Sequence, residues 1–203
     1  MEFFNPNSSD FSCKFRFFMT WISSAESFGD RELLAMNSLS KAHPSGSLIV
    51  ASNSLDSRSG MQILRPFLEK GLKVTAISPD FNYLFKKTPA QGLSYRFGGI
   101  YLDTDIIILK SFSGLKNAIG AQTIDLDIGK RSKLNNAVMI FDEGHPLLYK
   151  FIQDFALTLD GNKWGHNGPY MVSRVVSRVA GRPGYNFTVL PPIAFLSGEL
   201  EQD

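Results

Sequence analysis

The segment 98-GGIYLDTDIIILKSF-112 interrupts an apolar run with two carboxylates, Asp103 and Asp105. An ionised carboxylate in an apolar setting is costly unless it is paired or binds a cation. The apolar residues from Ile100 to Leu109 predict a buried β-strand, on which residues two apart point to the same face. We therefore expect both carboxylates to face one point, where two oxygen ligands on short stems suit Mg²⁺ or Mn²⁺.

Apolar β-type runs alternate with helical patterns on both sides of this segment. Strands are predicted at 17–22, 48–51, 74–77 and 137–141, and helices at 30–40, 61–70, 146–159 and 170–179. Pro66 should kink the second helix or mark a new start. The last helix should bury its valines and turn Arg174 and Arg178 outward. This alternation predicts an α/β fold with a mainly parallel central sheet.

The chain has 203 residues, which suits one domain, and we expect a tail at 1–15 followed by a single domain at 16–200. Its net charge is +2, and its Lys and Arg residues are scattered, so nothing indicates a nucleic-acid partner. Cys13 is the single cysteine, which excludes an intrachain disulfide. The N-terminus has no continuous apolar run of signal-peptide or membrane-anchor length, so we expect neither in this chain. Glycosylation sequons occur at Asn7 and Asn186.

A second candidate site lies in 163-KWGHNGPYMVSR-174, which places His166 in a glycine-rich loop before a helix. A histidine exposed in such a loop can act as a metal ligand, a base or a diphosphate contact. It can equally be a loop residue that caps the following helix. The other two histidines, His43 and His145, each precede a proline at a helix end or start and are expected only to mark those boundaries.

A third candidate is 134-LNNAVMIF-141, where Asn135 and Asn136 lead into a strand. Their amides could bind sugar hydroxyls, but a turn before a strand is an equally simple interpretation.

An Asp-x-Asp triplet proves little alone, because about one is expected by chance in a chain of this composition. A second one, Asp125-Leu126-Asp127, lies in a polar stretch and is expected to be a solvated loop. The first differs because Gly98 and Gly99 precede it and allow close backbone approach. An exposed turn between two strands remains the alternative.

Together these segments resemble the α-1,4-glycosyltransferase family, which includes lactosylceramide 4-α-galactosyltransferase and the DXD enzymes of glycosyltransferase family 32. The matching segments keep their order over most of 17–195 and resemble the plant-type members most: FFMTWISS, GGIYLDTDIIILKSF, LNNAVMIF, WGHNGPYMVSRV and NFTVLPPIAF. The resemblance implies a GT-A-like (Rossmann-like) nucleotide-sugar-binding domain. It implies retaining transfer of a hexose, with galactose expected, from a UDP-sugar to a glycan or glycolipid hydroxyl with Mn²⁺ or Mg²⁺ as cofactor. It also implies the Golgi lumen or membrane, and glycosphingolipid biosynthesis.

The same resemblance assigns roles to individual residues. Asp105 would bind the metal, Asp103 would hold the metal and the donor, and His166 would add a metal or diphosphate contact. The residues implied in donor binding are Gly98, Gly99, Tyr101, Asp103, Asn135 and Asn136. Those implied in the acceptor or sugar pocket are Trp164, Gly165, Asn167 and Gly168. No catalytic residue is identified, because in a front-face retaining transfer the leaving phosphate can deprotonate the acceptor.

One segment departs from the family pattern. Family members carry a donor-binding helix before the paired glycines, where this chain reads 88-TPAQGLSYRFGG-99. The connection at 79–99 is also thin for a crossover between parallel strands. We therefore expect a domain shortened near 88–96 and truncated at its C-terminus.

Two other functions stay open at this point. One is a truncated, non-catalytic relative that binds a partner, such as a full-length family member. The other is a phosphatase like the haloacid dehalogenases, in which the first Asp of the pair is a nucleophile.

Overall fold

The computed structural model describes residues 15–79, 98–124 and 131–192. Several expectations therefore lie outside the described residues. They concern the tail, Cys13, the sequon at Asn7, the shortening near 88–96, the triplet at 125–127 and the C-terminal truncation.

The first half of the domain is a run of strands and helices in strict alternation. It comprises β1 (Arg16–Thr20), α1 (Asp30–Ala42), β2 (Ser47–Ala51), α2 (Arg58–Glu69) and β3 (Lys73–Ile77). Strands β1, β2 and β3 are parallel neighbours. Ser57 caps the start of helix α2, and its hydroxyl accepts a hydrogen bond from the Gly60 N–H. It contains Pro66 as one continuous helix, so the predicted new start at that proline is wrong.

The second half adds the rest of the sheet and two more helices. It comprises β4 (Gly99–Leu102), β5 (Ala118–Ile124), β6 (Arg131–Phe141), α3 (Pro146–Thr158), α4 (Pro169–Val179) and β7 (Thr188–Leu190). In the described part of the chain, strands β1 to β7 form one seven-stranded sheet in the order β3-β2-β1-β4-β6-β5-β7. Only β6 runs antiparallel to its neighbours, β4 and β5. The predicted α/β fold with a mainly parallel sheet is confirmed.

The apolar segment that follows β4 is not a strand. Strand β4 ends at Leu102 rather than at Leu109, and the residues after it pack against α1. The Ile108 N–H donates to Ser38 Oγ at 2.8 Å, and the Phe112 N–H donates to His43 Nε2 at 3.1 Å. Burial lowers the pKa of His43, so its ring is neutral and Nε2 is free to accept that bond. His43 therefore marks the end of α1, as predicted, and also anchors this segment.

The core lies on both faces of the sheet. Along β6, Val138 and Ile140 pack on the side of α1 and α2, whereas Met139 and Phe141 pack on the side of α3 and α4. Residues of a strand alternate between faces, so one strand can serve both cores. The sheet is thereby covered on both sides by helices.

A buried carboxylate ties α3 to α4. Asp154 on α3 pairs with Arg174 and Arg178 on α4, and its own side chain is only 7% exposed. The prediction that both arginines turn outward is therefore wrong for Arg174, which is 27% exposed. Arg178 stays 59% exposed while it makes its pair.

His145 marks the start of α3, as predicted, because its Nδ1 accepts a hydrogen bond from the Leu147 N–H at 3.3 Å. Among the helices of the described residues, none has the length and apolar character needed to cross a bilayer.

Candidate functional site

The Asp103-Thr104-Asp105 triplet lies in a turn at the carboxyl end of β4. The Asp103 N–H donates to the Ala137 carbonyl at 2.9 Å, and the Ile106 N–H donates to the Asp103 carbonyl at 3.3 Å. The first bond attaches the turn to β6, and the second closes it. The expected strand geometry is wrong here, but both carboxylates still line one cavity.

Asp103 is held in place by its neighbour Tyr101. The Tyr101 hydroxyl donates to Asp103 Oδ1 at 2.8 Å. Burial, together with the charge of Asp103, raises the pKa of Tyr101 far above its usual value, so the hydroxyl keeps its proton. Tyr101 therefore acts as a permanent donor that fixes one carboxylate oxygen.

The carboxylate of Asp103 is partly buried and lies near a second carboxylate, Asp105. Burial raises the pKa of Asp103; the Tyr101 hydrogen bond partly offsets this, and the charge of Asp105 adds to the rise. A pKa raised in this way means that the ionised form of Asp103 is disfavoured, and a nearby cation would favour it. The site is therefore built at some cost to the carboxylate of Asp103, as functional sites often are.

Arg31 completes the charged wall of this cavity. It lies in the first turn of α1, and its Nη2 is 2.8 Å from Asp105 Oδ2. No local sequence pattern marks Arg31 as part of this site, because 74 positions separate it from Asp105.

The cavity has a volume of about 320 Å³, within the range of small-molecule sites. Its described lining residues are Arg31, Asp103, Asp105, Ile106, Gly120, Ala121, Gln122, Asn135, Ala137, Val138 and Pro192. It opens where the chain changes direction across the sheet: β2 and β3 extend from one side of β1, and β4 lies on the other. Ligands of open α/β sheets bind at such switch points, outside the carboxyl ends of the strands.

The donor set of this cavity suits a hard divalent cation that keeps open positions. Asp103 and Asp105 offer carboxylate oxygens, and no group of three or more His, Cys, Asp or Glu side chains suited to a metal occurs among the described residues. Mg²⁺ and Mn²⁺ are commonly bound by one or two carboxylates, with water and substrate phosphates in the other positions. The residues present therefore fit such an ion when a phosphate-bearing ligand completes its shell.

Asn135 and Asn136 lie within β6 and not in a turn before it, which corrects the simpler alternative. Asn135 lines the cavity, and its Oδ1 accepts a hydrogen bond from the Ala137 N–H at 3.0 Å. Asn136 lies against the start of α4, since a Cβ placed on Gly168 would come within 2.9 Å of its Oδ1. Of the two asparagines, the structure thus places Asn135 in the cavity lining with the two aspartates, and not Asn136.

The paired glycines lie at the opposite end of β4 from the carboxylates. Gly98 and Gly99 have φ angles of +61° and +120°, and a Cβ on Gly99 would lie 2.7 Å from the Arg16 carbonyl oxygen. They line a separate pocket with residues such as Phe15 and Asp142. Their conformation and close packing explain the glycines, and donor contact by them stays a prediction.

The glycine-rich loop before α4 is organised by its own hydrogen bonds. His166 Nε2 lies 2.9 Å from the Thr158 carbonyl oxygen, and Asn167 both accepts from the Asp160 N–H and donates to its carbonyl. Gly165 has a φ of +70° and lies beneath the Tyr170 ring. Trp164 is 86% exposed.

These loop residues do not meet the aspartates. None of Trp164, Gly165, His166, Asn167 and Gly168 is among the described residues that line the cavity. Their assignment to a metal or sugar pocket therefore stays a prediction.

Comparison with known proteins identifies relatives of this chain. Residues 140–200 match the model of the alpha 1,4-glycosyltransferase conserved region. Rat lactosylceramide 4-alpha-galactosyltransferase is 38% identical over 110 residues, which is 51% of this chain and 29% of that protein. An uncharacterized Arabidopsis thaliana protein is 28% identical over 192 residues, covering 82% of this chain and 29% of that protein. The chain thus spans about three tenths of the length of these curated relatives.

Solved structures agree on the fold. The PaToxG glycosyltransferase superposes with a TM-score of 0.58 at 16% identity, covering 83% of this chain and 69% of that one. A transferase mutant superposes with a TM-score of 0.51 at 12% identity, covering 83% of this chain and 85% of that one. At such identities the likeness concerns the fold alone.

Proposed function

We propose that the chain transfers a hexose from a UDP-sugar to a hydroxyl of a glycan or glycolipid, because residues 140–200 match the alpha 1,4-glycosyltransferase conserved region and the fold resembles that of a solved glycosyltransferase. The proposed hexose is galactose, the transfer proceeds with retention, and Mn²⁺ or Mg²⁺ is required. The proposed place of action is the Golgi.

One observation carries this proposal. Asp103 and Asp105 face a cavity at the carboxyl end of β4, beside the position where the strand order changes direction. A divalent ion held there would offset the charge of a sugar diphosphate and so make the diphosphate a better leaving group.

The chain's own residues supply the rest of the arrangement. Tyr101 fixes Asp103 through the 2.8 Å hydrogen bond, which keeps the carboxylate aimed at the cavity. Asn135 Oδ1 accepts a hydrogen bond from the Ala137 N–H. The amide nitrogen of Asn135 is therefore the group that can donate a hydrogen bond to an oxygen of the nucleotide sugar. The acceptor hydroxyl passes its proton to the departing phosphate, so no protein base is required in this step.

Turnover of nucleotide sugars tests the proposal. UDP-galactose, UDP-glucose and UDP-N-acetylglucosamine would each be incubated with a lactose-bearing acceptor and Mn²⁺, and proton NMR would give the configuration of the new linkage. We expect an α-linked product from UDP-galactose and at least a hundredfold loss in Asp105→Asn.

The matched control is Glu69→Gln, which removes an exposed carboxylate that pairs with Arg65 on α2, away from the cavity. We expect this variant to keep full activity. A β-linked product, or an Asp105→Asn variant as active as the parent, would contradict the proposal.

A further inference from the structure

Arg31 is the charged residue among the described lining of this cavity to which neither the sequence patterns nor the comparisons assign a role. We propose that Arg31 binds the diphosphate of the nucleotide-sugar donor, and that it releases Asp105 to the divalent cation as it does so. This inference rests on the proposed function.

Without a ligand, Arg31 forms an ion pair with Asp105. Its guanidinium contacts Asp105 at 2.8 Å, with 70% of the arginine side chain and 43% of the aspartate side chain exposed. A cation thus sits on the carboxylate that the metal is expected to use. An exposed ion pair of this kind is weak, so a divalent ion can displace the guanidinium.

The Arg31 guanidinium remains near the two aspartates after it leaves Asp105. Arg31 lines the same cavity as Asp103 and Asp105, so its displaced side chain stays beside them. Its helix turn is fixed, because the Gly29 N–H donates to the Glu32 carboxylate at 2.9 Å and leaves Arg31 outside that bond. The side chain can therefore swing while its backbone remains still.

The positive side-chain charge among the described residues that line the cavity comes from Arg31, which is the one Lys or Arg in that set. A sugar diphosphate needs positive charge beyond that of a single divalent ion, because two carboxylates already offset that ion. A guanidinium presents a planar fork of N–H donors that matches phosphate oxygens.

Three binding measurements test the inference. Mn²⁺ alone would be titrated by the paramagnetic resonance signal of the free ion, and UDP and uridine would each be titrated by calorimetry at saturating Mn²⁺. In Arg31→Ala, Mn²⁺ alone should bind about 1.5- to 5-fold more tightly, because a competing cation is gone. UDP should bind roughly 10- to 100-fold more weakly, because a charged hydrogen-bond donor is lost. Uridine, which has no phosphate, should bind as before.

Arg65→Ala is the matched control. Arg65 forms a similarly exposed pair with Glu69 at 2.9 Å, and its own side chain is 74% exposed. All three affinities should stay at their parent values in this variant. Arg31→Lys should recover part of the UDP affinity, since it restores the charge without the fork.

The outcomes separate the inference from the function beneath it. If the parent chain shows no Mn²⁺-dependent binding of UDP, the proposed function fails and takes the inference with it. If the parent binds UDP with Mn²⁺ and Arg31→Ala binds it equally well, only the inference is overturned. A variant that loses affinity for Mn²⁺, UDP and uridine alike also overturns it, because that pattern indicates a structural role.

Discussion

The pairing of Asp154 with two arginines gives a stability prediction whose size follows from exposure. Arg174 approaches Asp154 Oδ2 through Nε at 3.0 Å and through Nη2 at 2.5 Å, and Arg178 approaches Oδ1 at 2.5 Å. We consider Asp154→Asn, which removes the charge and keeps the shape. The two helices that flank the glycine-rich loop then lose their ionic connection.

The two arginines contribute unequally. The contact with Arg174, in which Nε and Nη2 both donate to Oδ2, is largely shielded from water, and charged hydrogen bonds of this kind contribute ~1.5–3 kcal/mol. The contact with Arg178 is open to water, and an exposed pair contributes ~0.2–1 kcal/mol. We therefore expect Asp154→Asn to lower the free energy of unfolding by roughly 2–4 kcal/mol, and Arg178→Ala to lower it by less than about 1 kcal/mol.

The same contact makes a prediction about pH. Burial alone would raise the pKa of Asp154, but the hydrogen bonds and charges of Arg174 and Arg178 outweigh it and hold the pKa below its usual value. A depressed pKa in the folded state means that the stabilisation is present above the unfolded pKa, near ~3.9, and is lost as the pH falls through the folded value. The difference between Asp154→Asn and the parent should therefore shrink in acid.

Urea unfolding followed by circular dichroism, at pH 7 and again near pH 3, measures both effects. The reasoning is refuted if Asp154→Asn costs less than about 1 kcal/mol at pH 7. It is equally refuted if Arg178→Ala costs as much as Arg174→Ala, since exposure would then not control the size of the contribution.

Further predictions concern single residues near the site and the sheet. Asp103→Asn should raise the Tm in thermal melts, because the ionised form of Asp103 is disfavoured, and should abolish Mn²⁺ binding; a destabilised variant would contradict this. Gly99→Ala should destabilise the fold by more than ~2 kcal/mol, whereas Gly114→Ala, with φ +87° and nothing near its Cβ, should cost about 1 kcal/mol; equal losses in urea unfolding would show that the close contact with Arg16 is unimportant. Trp164→Ala should change stability by less than ~0.5 kcal/mol and raise the KM for acceptor in the transfer assay; an unchanged KM would remove it from the acceptor pocket.

Much of the fold could be predicted from periodicity. The strands β1 to β3 and the helices α1, α3 and α4 are amphipathic or apolar in ways that their own residues reveal, and they were predicted close to their observed bounds. Strands β5 and β7 were missed. The residues of β5 read AIGAQTI, with an interior glycine and two polar residues, and β7 has only three residues. Such strands depend on their neighbours in the sheet rather than on local pattern.

The errors share a physical cause, which is that partners distant in sequence decide the outcome. Ile106 and Ile108 are buried, as a strand would bury them, but their segment is tied to α1 by hydrogen bonds that Ser38 accepts from the Ile108 N–H and His43 accepts from the Phe112 N–H. Arg174 was expected to point to solvent because an arginine on an amphipathic helix normally does; it turns toward Asp154, a carboxylate on another helix.

The candidate site could be predicted only in part from the sequence. Asp103 and Asp105 were found by their spacing and their apolar setting, and the cavity brings them together. Arg31 could not be found in this way, because only folding brings the first turn of α1 to the end of β4.

We propose that Asp103 and Asp105 hold a divalent cation that in turn holds a nucleotide diphosphate. Calorimetric titration of UDP into the chain, with Mn²⁺ and then with a chelator in its place, tests this most directly. We expect UDP to bind at least about tenfold more tightly with Mn²⁺, and we expect no such difference in Asp105→Asn. Equal affinity for UDP with and without Mn²⁺ in the parent chain would contradict it.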